Sequence, residues 1–308
     1  MNSVTASEKS SPQTSRHLLR TTAGLLSQSA LLRRGRELWA SNQKNWSLPL
    51  SKWEKLQIGI QLIFKDYSEG IFPPTFADQQ QAYQNEINYR FAMPGVELQE
   101  IATAEMRKPF WFGRGVHLYL KSFLKLTSLL EQAHIGPPAK LLELGGGPGW
   151  TAEFLAQSGF DVVSTTISQH DVDTCLKRLE SMRVRGLPVQ LRFYTCPMES
   201  VGDHVRELCP FDAVFVHEAL HHAFDWKAAI TSAFSCLRPG GWLMICHEPN
   251  LLHTAVSYRV AKLSHTHEIG FRKRDLVSHL RQTGFQKVLS RSNWPGLFVR
   301  PHWLMAQR

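Results

Sequence analysis

The segment LLELGGGPGW, residues 141–150, constrains this chain more than any other stretch. An apolar strand-like run carrying Glu143 leads straight into Gly145, Gly146, Gly147, Pro148 and Gly149, and a helical pattern follows. Glycines at 145, 147 and 149 let the backbone turn sharply and leave no side chain between the main chain and a ligand. The helix after them points its N-terminal amides at that ligand. A nucleotide-like cofactor is implied. The dinucleotide fingerprint is G-x-G-x-x-G, whereas the spacing here is G-x-G-x-G with Trp150 in the last glycine's place, which argues against NAD.

The loop belongs to a longer alternation. AKLLELG (139–145), DVVSTT (161–166), VQLRFY (189–194), FDAVFVH (211–217) and GWLMIC (241–246) read as strands, most of them too continuously apolar for a sheet covered on one face only. Helical stripes lie between them, one with Val172, Cys175, Leu179 and Met182, another with Trp226, Ala229, Ile230, Ala233 and Leu237. A helix around Leu276 and Leu280 and two further strands, FQKVLS and HWLMAQ, close the pattern. The expected fold is a doubly wound, mostly parallel α/β sheet.

Ahead of the Gly136-Pro137-Pro138 punctuation the reading is mainly helical. Stripes run through Leu18, Leu25, Leu32 and Trp39, through Trp53, Leu56, Ile60 and Ile63, and through Val116, Tyr119, Phe123, Leu126 and Leu130. The stretch from Gly70 to Pro109 reads as short elements joined by turns. The expected organisation is a flexible, Ser-rich tail at 1–16, a helical extension or lid at 17–135 and a cofactor-binding domain at 136–308.

Composition narrows the classes. With 308 residues and 43% hydrophobic content the chain can bury an ordinary core. No apolar run reaches the roughly 18 residues a membrane span needs, and the N-terminus has no compact hydrophobic stretch, so a cytoplasmic protein is expected. The five cysteines are scattered and form no C-x-x-C pair, which indicates neither a disulfide framework nor a cysteine metal site. Of the net charge of +9, the first 50 residues hold +5, without the aromatic-and-arginine cluster of a nucleic-acid binder. No nucleic-acid partner is expected, and the oligomeric state is left open.

LLELGGGPG resembles the first motif of class I S-adenosylmethionine-dependent methyltransferases, and three further segments fall where that family places them. FDAVFVHEALHHAFDW is similar to the fourth strand and its loop, LRPGGWLMICHEPN to the turn into the fifth strand, and RKRDLVSHLRQTGFQKV to the late helix. The resemblance covers about residues 139 to 308. It implies a seven-stranded Rossmann-like methyltransferase fold, S-adenosyl-L-methionine as cofactor, and methyl transfer to a small-molecule or lipid-like acceptor. It places Glu143 near the cofactor's amino-acid portion, the loop of Gly145, Gly146, Gly147 and Gly149 against the cofactor, and Thr195 to Met198 beside the adenine. Where the family usually carries an acid for the ribose hydroxyls, this sequence has Thr166, which can make only one such bond. Asp171 is near, but Ser168-x-x-Asp171 also reads as a helix cap.

HEALHH (217–222) poses a separate question, because its first five letters match the His-Glu-x-x-His of zinc hydrolases. That pattern binds metal only on a helix, where the i, i+4 spacing turns both histidines to one side. Here it follows a strand, so no metal is expected. Methyl transfer to a hydroxyl or amine can use a base, and His217, His221, His222 and Glu248 fall after the fourth and fifth strands as catalytic candidates. The alternatives are an RNA or protein methyltransferase and a cofactor-binding module without catalysis.

Overall fold

A computed structural model of the chain describes residues 30–46, 48–74, 78–89, 94, 97–110, 116–267, 269–291 and 300–308. The expected tail and the first turns of the helix starting at Leu18 lie outside the described residues. Among the described residues, five helices come first: α1 (Ala30–Asn42), α2 (Lys52–Glu69), α3 (Gln79–Asn88), α4 (Leu98–Arg107) and α5 (Val116–Gln132). Then follow β1 (Lys140–Leu144), α6 (Trp150–Gln157), β2 (Asp161–Thr166), α7 (Gln169–Val184), β3 (Gln190–Thr195) and the short α8 (Val201–His204). β4 (Phe211–His217), α9 (Trp226–Cys236), β5 (Leu237–Glu248), α10 (Leu251–Ser264), α11 (Lys273–Thr283), β6 (Lys287–Ser290) and β7 (His302–Gln307) complete the chain.

The seven strands form one sheet in the order β3-β2-β1-β4-β5-β7-β6. β1 to β5 run parallel, and β7 pairs antiparallel with both β5 and β6, so the sheet is mixed. The continuous apolar runs have their cause in two-sided burial. Leu142, Leu144, Val214, Val216, Leu243 and Ile245 join one core with α9 and α11, while Leu141, Ala213, Phe215, Met244 and Cys246 join the other with α5 and α6. Successive strand residues face opposite sides, so both sets must be apolar. The strand order reverses between β1 and β4, and in open α/β sheets ligands bind at the carboxyl end of such a switch point.

The sequence reading grouped α5 with the helical extension, but its Leu126, Leu129 and Leu130 are buried in the sheet's own core. α10, after β5, packs instead against the N-terminal helices. Leu38, Ile58, Leu62, Tyr258 and Ala261 form their shared core. The approach is close enough that a Cβ on Gly59 would lie 1.6 Å from the carbonyl oxygen of Ala255. Buried polar pairs lock the group: Tyr258 donates to Asp66 at 2.6 Å, Lys262 reaches the same carboxylate at 2.8 Å, and Arg259 donates to Asn42 at 2.8 Å. The helical unit is thus discontinuous in sequence.

Two sets of bonds hold this unit in place, one to α7 beside the sheet and one between α3 and the end of α10. Arg178 on α7 pairs with Glu153 at 2.6 Å and donates to the carbonyls of Glu105, Met106 and Lys108, fixing the end of α4. On α3, Asn85 donates to the carbonyl of His265, and Glu86 accepts from the backbone N–H of His267 at 2.9 Å. α3 is thereby held over the carboxyl edge of the sheet. No helix among the described residues is long and apolar enough to cross a membrane.

Candidate active site

A cleft of about 280 Å³ opens at the switch point. Its floor is Glu143 with Gly145, Gly146, Gly147 and Pro148. The loop can pass this close because Gly145, Gly147 and Gly149 take φ of +66°, +53° and +76°, a region most side chains avoid. A Cβ on Gly146 would lie 2.4 Å from a Glu143 carboxylate oxygen, so the loop and the acid are packed as one unit. Glu143 is 2% exposed and accepts from Ser164 at 2.6 Å. Burial raises its pKa to about 7, and the Ser164 hydrogen bond offsets only part of that rise.

Thr166, Ile167 and Asp171 form one side. The cap at Ser168 is present, since its hydroxyl accepts from the backbone N–H of Asp171 at 3.2 Å. That bond leaves the Asp171 carboxylate to face the cleft, where it accepts from Thr166 at 3.4 Å. Cap and cleft wall are therefore the same residue, two roles the sequence reading set against each other. Cys196, Met198 and Glu199 form the next wall. Thr195 does not join them. It donates to Gln169 at 2.8 Å and lines a neighbouring depression with α3.

His217, Glu218, Ala219 and His222 enter from the end of β4. Burial lowers the pKa of His217, favouring the neutral ring, and its Nε2 lies 2.6 Å from the Ser122 hydroxyl of α5. His222 Nδ1 lies 2.9 Å from a Glu86 carboxylate oxygen, near enough for attraction though not aligned as a hydrogen bond. HEALHH is not helical: His217 ends β4, and Leu220–His222 is a single 3₁₀ turn. His217 and His221 accordingly face different surroundings.

Glu248 does not line the cleft. It is fully buried and accepts from the backbone N–H groups of Ala219 (2.8 Å), Leu220 (2.9 Å) and His221 (3.2 Å) and from His221 Nδ1 (2.8 Å). His221 faces a second cavity shared with Glu218 and His247. Burial alone would raise the Glu218 carboxyl, but the His247 hydrogen bond and the charges of His247, His217 and His221 bring it down to about 2.

A lid was expected from the sequence, but not the residues that form it. Tyr83, Glu86 and Tyr89 come from α3, Lys108 follows α4, and Tyr119 comes from α5. Trp150 closes the back, packed edge-on against Tyr119, Phe154 and His217. Phe110 is exposed and Lys108 reaches the cleft.

A doubly wound sheet in this order, with a glycine-lined cleft over a buried acid, defines the class I methyltransferase architecture. The family model "Methyltransferase domain" matches residues 115–290, over half the chain, and its start coincides with α5 rather than β1. The chain belongs to this family of S-adenosylmethionine-dependent methyltransferases. Among curated relatives, the tRNA 5-carboxymethoxyuridine methyltransferase of Escherichia coli (strain K12) is 27% identical over 140 residues, 44% of this chain and 52% of that protein. The chain thus spans about half the length of that relative. The ubiquinone biosynthesis O-methyltransferase of Bordetella avium (strain 197N) is 25% identical over 174 residues, 53% of this chain and 68% of that protein. Among solved structures, magnesium protoporphyrin IX methyltransferase from Synechocystis PCC 6803 with bound SAH is 18% identical, covering 79% of this chain and 99% of that one at a TM-score of 0.47.

The cofactor is S-adenosylmethionine, and this cleft fits it. The glycine loop leaves backbone surface open to a ligand, and the buried Glu143 carboxylate suits an ammonium.

Proposed function

We propose that the chain transfers the methyl group of S-adenosylmethionine to a small organic acceptor. The roofed cleft carries this reading. α3 and α5 close over the glycine loop with Tyr83, Tyr89 and Tyr119, leaving a space suited to a compact molecule. The bound cofactor supplies a methyl on an already activated leaving group, so the protein's main task is to position the acceptor and exclude water. Glu143 would hold the cofactor's ammonium, Gly145 to Gly147 would pass under it, and Asp171 with Thr166 would take the ribose hydroxyls in place of the acid missing from β2. Met198 would pack on the adenine. His217 and His222 face the acceptor side, while Glu248 and His221 shape the loop that carries them. The described helices α1 to α4, reinforced by α10, would be the cover.

Glu143 gives a pH test of the cofactor's placement. With a free pKa of about 7, the group must lose its proton to meet a cation. S-Adenosylmethionine affinity is therefore expected to rise with pH below 7, by up to about tenfold per unit, and to level off above it. Glu143→Gln should weaken binding and flatten the profile. Titration calorimetry across this range measures both, and an unchanged slope in the variant would place the ammonium elsewhere.

An RNA acceptor is the second reading, favoured by the tRNA methyltransferase among the relatives. Tritiated S-adenosylmethionine offered with small-molecule extract and, separately, with bulk tRNA separates the two. Label is expected in the small-molecule fraction. Acid-precipitable label on tRNA would replace the first reading with the second, and cofactor binding without label in either fraction would leave a binding module.

A further inference from the structure

We infer that His222 takes the acceptor's proton, that Glu86 of α3 positions it and balances its charge, and that the acceptor is a planar ring bearing a hydroxyl group. This deepens the methyl-transfer reading above and rests on it. His222 and Glu86 both line the cofactor cleft, with Nδ1 of the first 2.9 Å from Oε2 of the second.

The wall that carries His222 abuts the glycine loop. A Cβ on Gly145 would lie 2.7 Å from that of Ala219, and the backbone N–H of His222 donates to the carbonyl of Ala219 at 3.0 Å. The imidazole is therefore one turn from the surface proposed for the cofactor, inside the same cleft. Two other titratable groups in that wall have different tasks. His217 Nε2 is engaged by the Ser122 hydroxyl at 2.6 Å, and Glu218, held at about 2, is too weak a base.

α3 reaches across from the opposite side. Tyr83, Glu86 and the capping Tyr89 recur every third residue, so they share one face, and all three line the cleft. Glu86 is anchored there, because its Oε1 accepts from the backbone N–H of His267 at 2.9 Å. Its side chain is only 7% exposed. A carboxylate in so dry a place attracts an imidazolium strongly, and that attraction depends on proximity rather than on hydrogen-bond alignment. Nδ1 is buried on the Glu86 side while the His222 side chain as a whole is 26% exposed, so the ring meets the cleft with its other edge.

The lining defines the acceptor. Tyr89 lies over His222 with ring centroids 6.3 Å apart at 30°, and Tyr119 and Trp150 close the same space. Flat aromatic walls suit a flat ring, and a base serves only an acceptor with a proton to lose. In the reaction, a lone pair of the acceptor oxygen forms the new C–O bond to the methyl carbon. The C–S bond breaks with its electrons staying on sulfur, and the hydroxyl proton passes to His222 Nε2 and on to solvent.

The test offers the full chain S-adenosylmethionine with a panel of phenols, catechols and hydroxyquinolines at mildly alkaline pH. Each is paired with a nitro derivative whose hydroxyl is already ionised there. At least one pair is expected to be methylated on oxygen. His222→Ala should slow the parent compound by about a hundredfold or more and the ionised derivative far less, with S-adenosylhomocysteine affinity and melting temperature unchanged. A purely structural role would slow both alike. Glu86→Gln keeps an oxygen for the His267 amide and removes the charge. It should shift the rising limb of the rate to lower pH, because an imidazolium without its carboxylate gives up its proton more readily. Histidine-ring NMR without acceptor reads this apart from activity: one titrating signal vanishes in His222→Ala, and its midpoint falls in Glu86→Gln. Among the described residues, the titratable groups facing this ring are Glu86 and Tyr89 on α3, His221 on its own turn and His267 after α10. No hydroxyl methylated, equal slowing of both compounds in His222→Ala, or an unmoved limb and midpoint in Glu86→Gln would each overturn the inference. Failure of the unchanged chain to bind S-adenosylhomocysteine would instead overturn the methyl-transfer reading beneath it.

Discussion

Gly147→Val is expected to abolish S-adenosylmethionine binding, with at least a hundredfold loss of affinity, while the chain stays folded. Gly147 lines the cleft with φ of +53°. A β-branched residue there is strained by roughly 1–2 kcal/mol, and its methyl groups would fill the surface proposed for the cofactor. Steric exclusion in a close-packed site cannot be relieved by a small shift, because Glu143 and Ser164 already abut the neighbouring Gly146. Gly186 supplies the control. It also has a positive φ, +72°, but a Cβ there meets nothing within 4 Å and the position is away from the cleft. Gly186→Val should carry a similar backbone penalty and keep cofactor affinity. Calorimetry and thermal melting of both variants measure the difference. Equal affinity in Gly147→Val and the unchanged chain would remove the cofactor from this loop.

Legibility in the sequence followed the physics of each element. β1, β2 and β4 were readable because both faces of a parallel strand are buried, which makes the apolar run continuous. The glycine loop was readable because only glycine meets its backbone demand. α10 was not. Its buried residues include Thr254, Ser257, Arg259 and Ser264 beside Tyr258 and Ala261, so polar groups paired inside the protein erase the amphipathic stripe. The roof on α3 was hidden for a related reason, since Tyr83, Glu86 and Tyr89 act on a cleft formed by residues far away in sequence. Thr195 and Met198, which the resemblance set side by side, point to different places. Three residues apart, one turns to Gln169 and the other into the cleft. Asp171 shows that two sequence readings need not compete, because the cap uses its amide and the cleft its carboxylate.

Glu248 separates a positioning acid from a catalytic one. Its two oxygens accept four hydrogen bonds from Ala219, Leu220 and His221, which fixes the start of the loop after β4. Burial by itself would raise its pKa, but the His221 hydrogen bond, the charge of His221 and the two backbone amides hold it below its usual 4.5. A folded pKa below the unfolded one means that this carboxylate contributes stability above pH 4.5, lost as the pH falls through the lower folded value. Glu248→Ala strands four donors in a dry site and is expected to cost about 3–5 kcal/mol, the range for breaking a buried charged pair. Glu248→Gln should cost less, since an amide keeps one acceptor oxygen but turns an N–H₂ toward a neighbour that also donates. If Glu248 acts through the loop, melting temperature, S-adenosylmethionine affinity and turnover fall together in both variants, because Ala219 and His222 lose their places in the cleft wall. The unchanged chain should also melt more easily below pH 4.5, and this acid sensitivity should be smaller in Glu248→Gln. A Glu248→Gln variant with normal melting and normal cofactor affinity but turnover down a hundredfold or more would instead make Glu248 the proton acceptor.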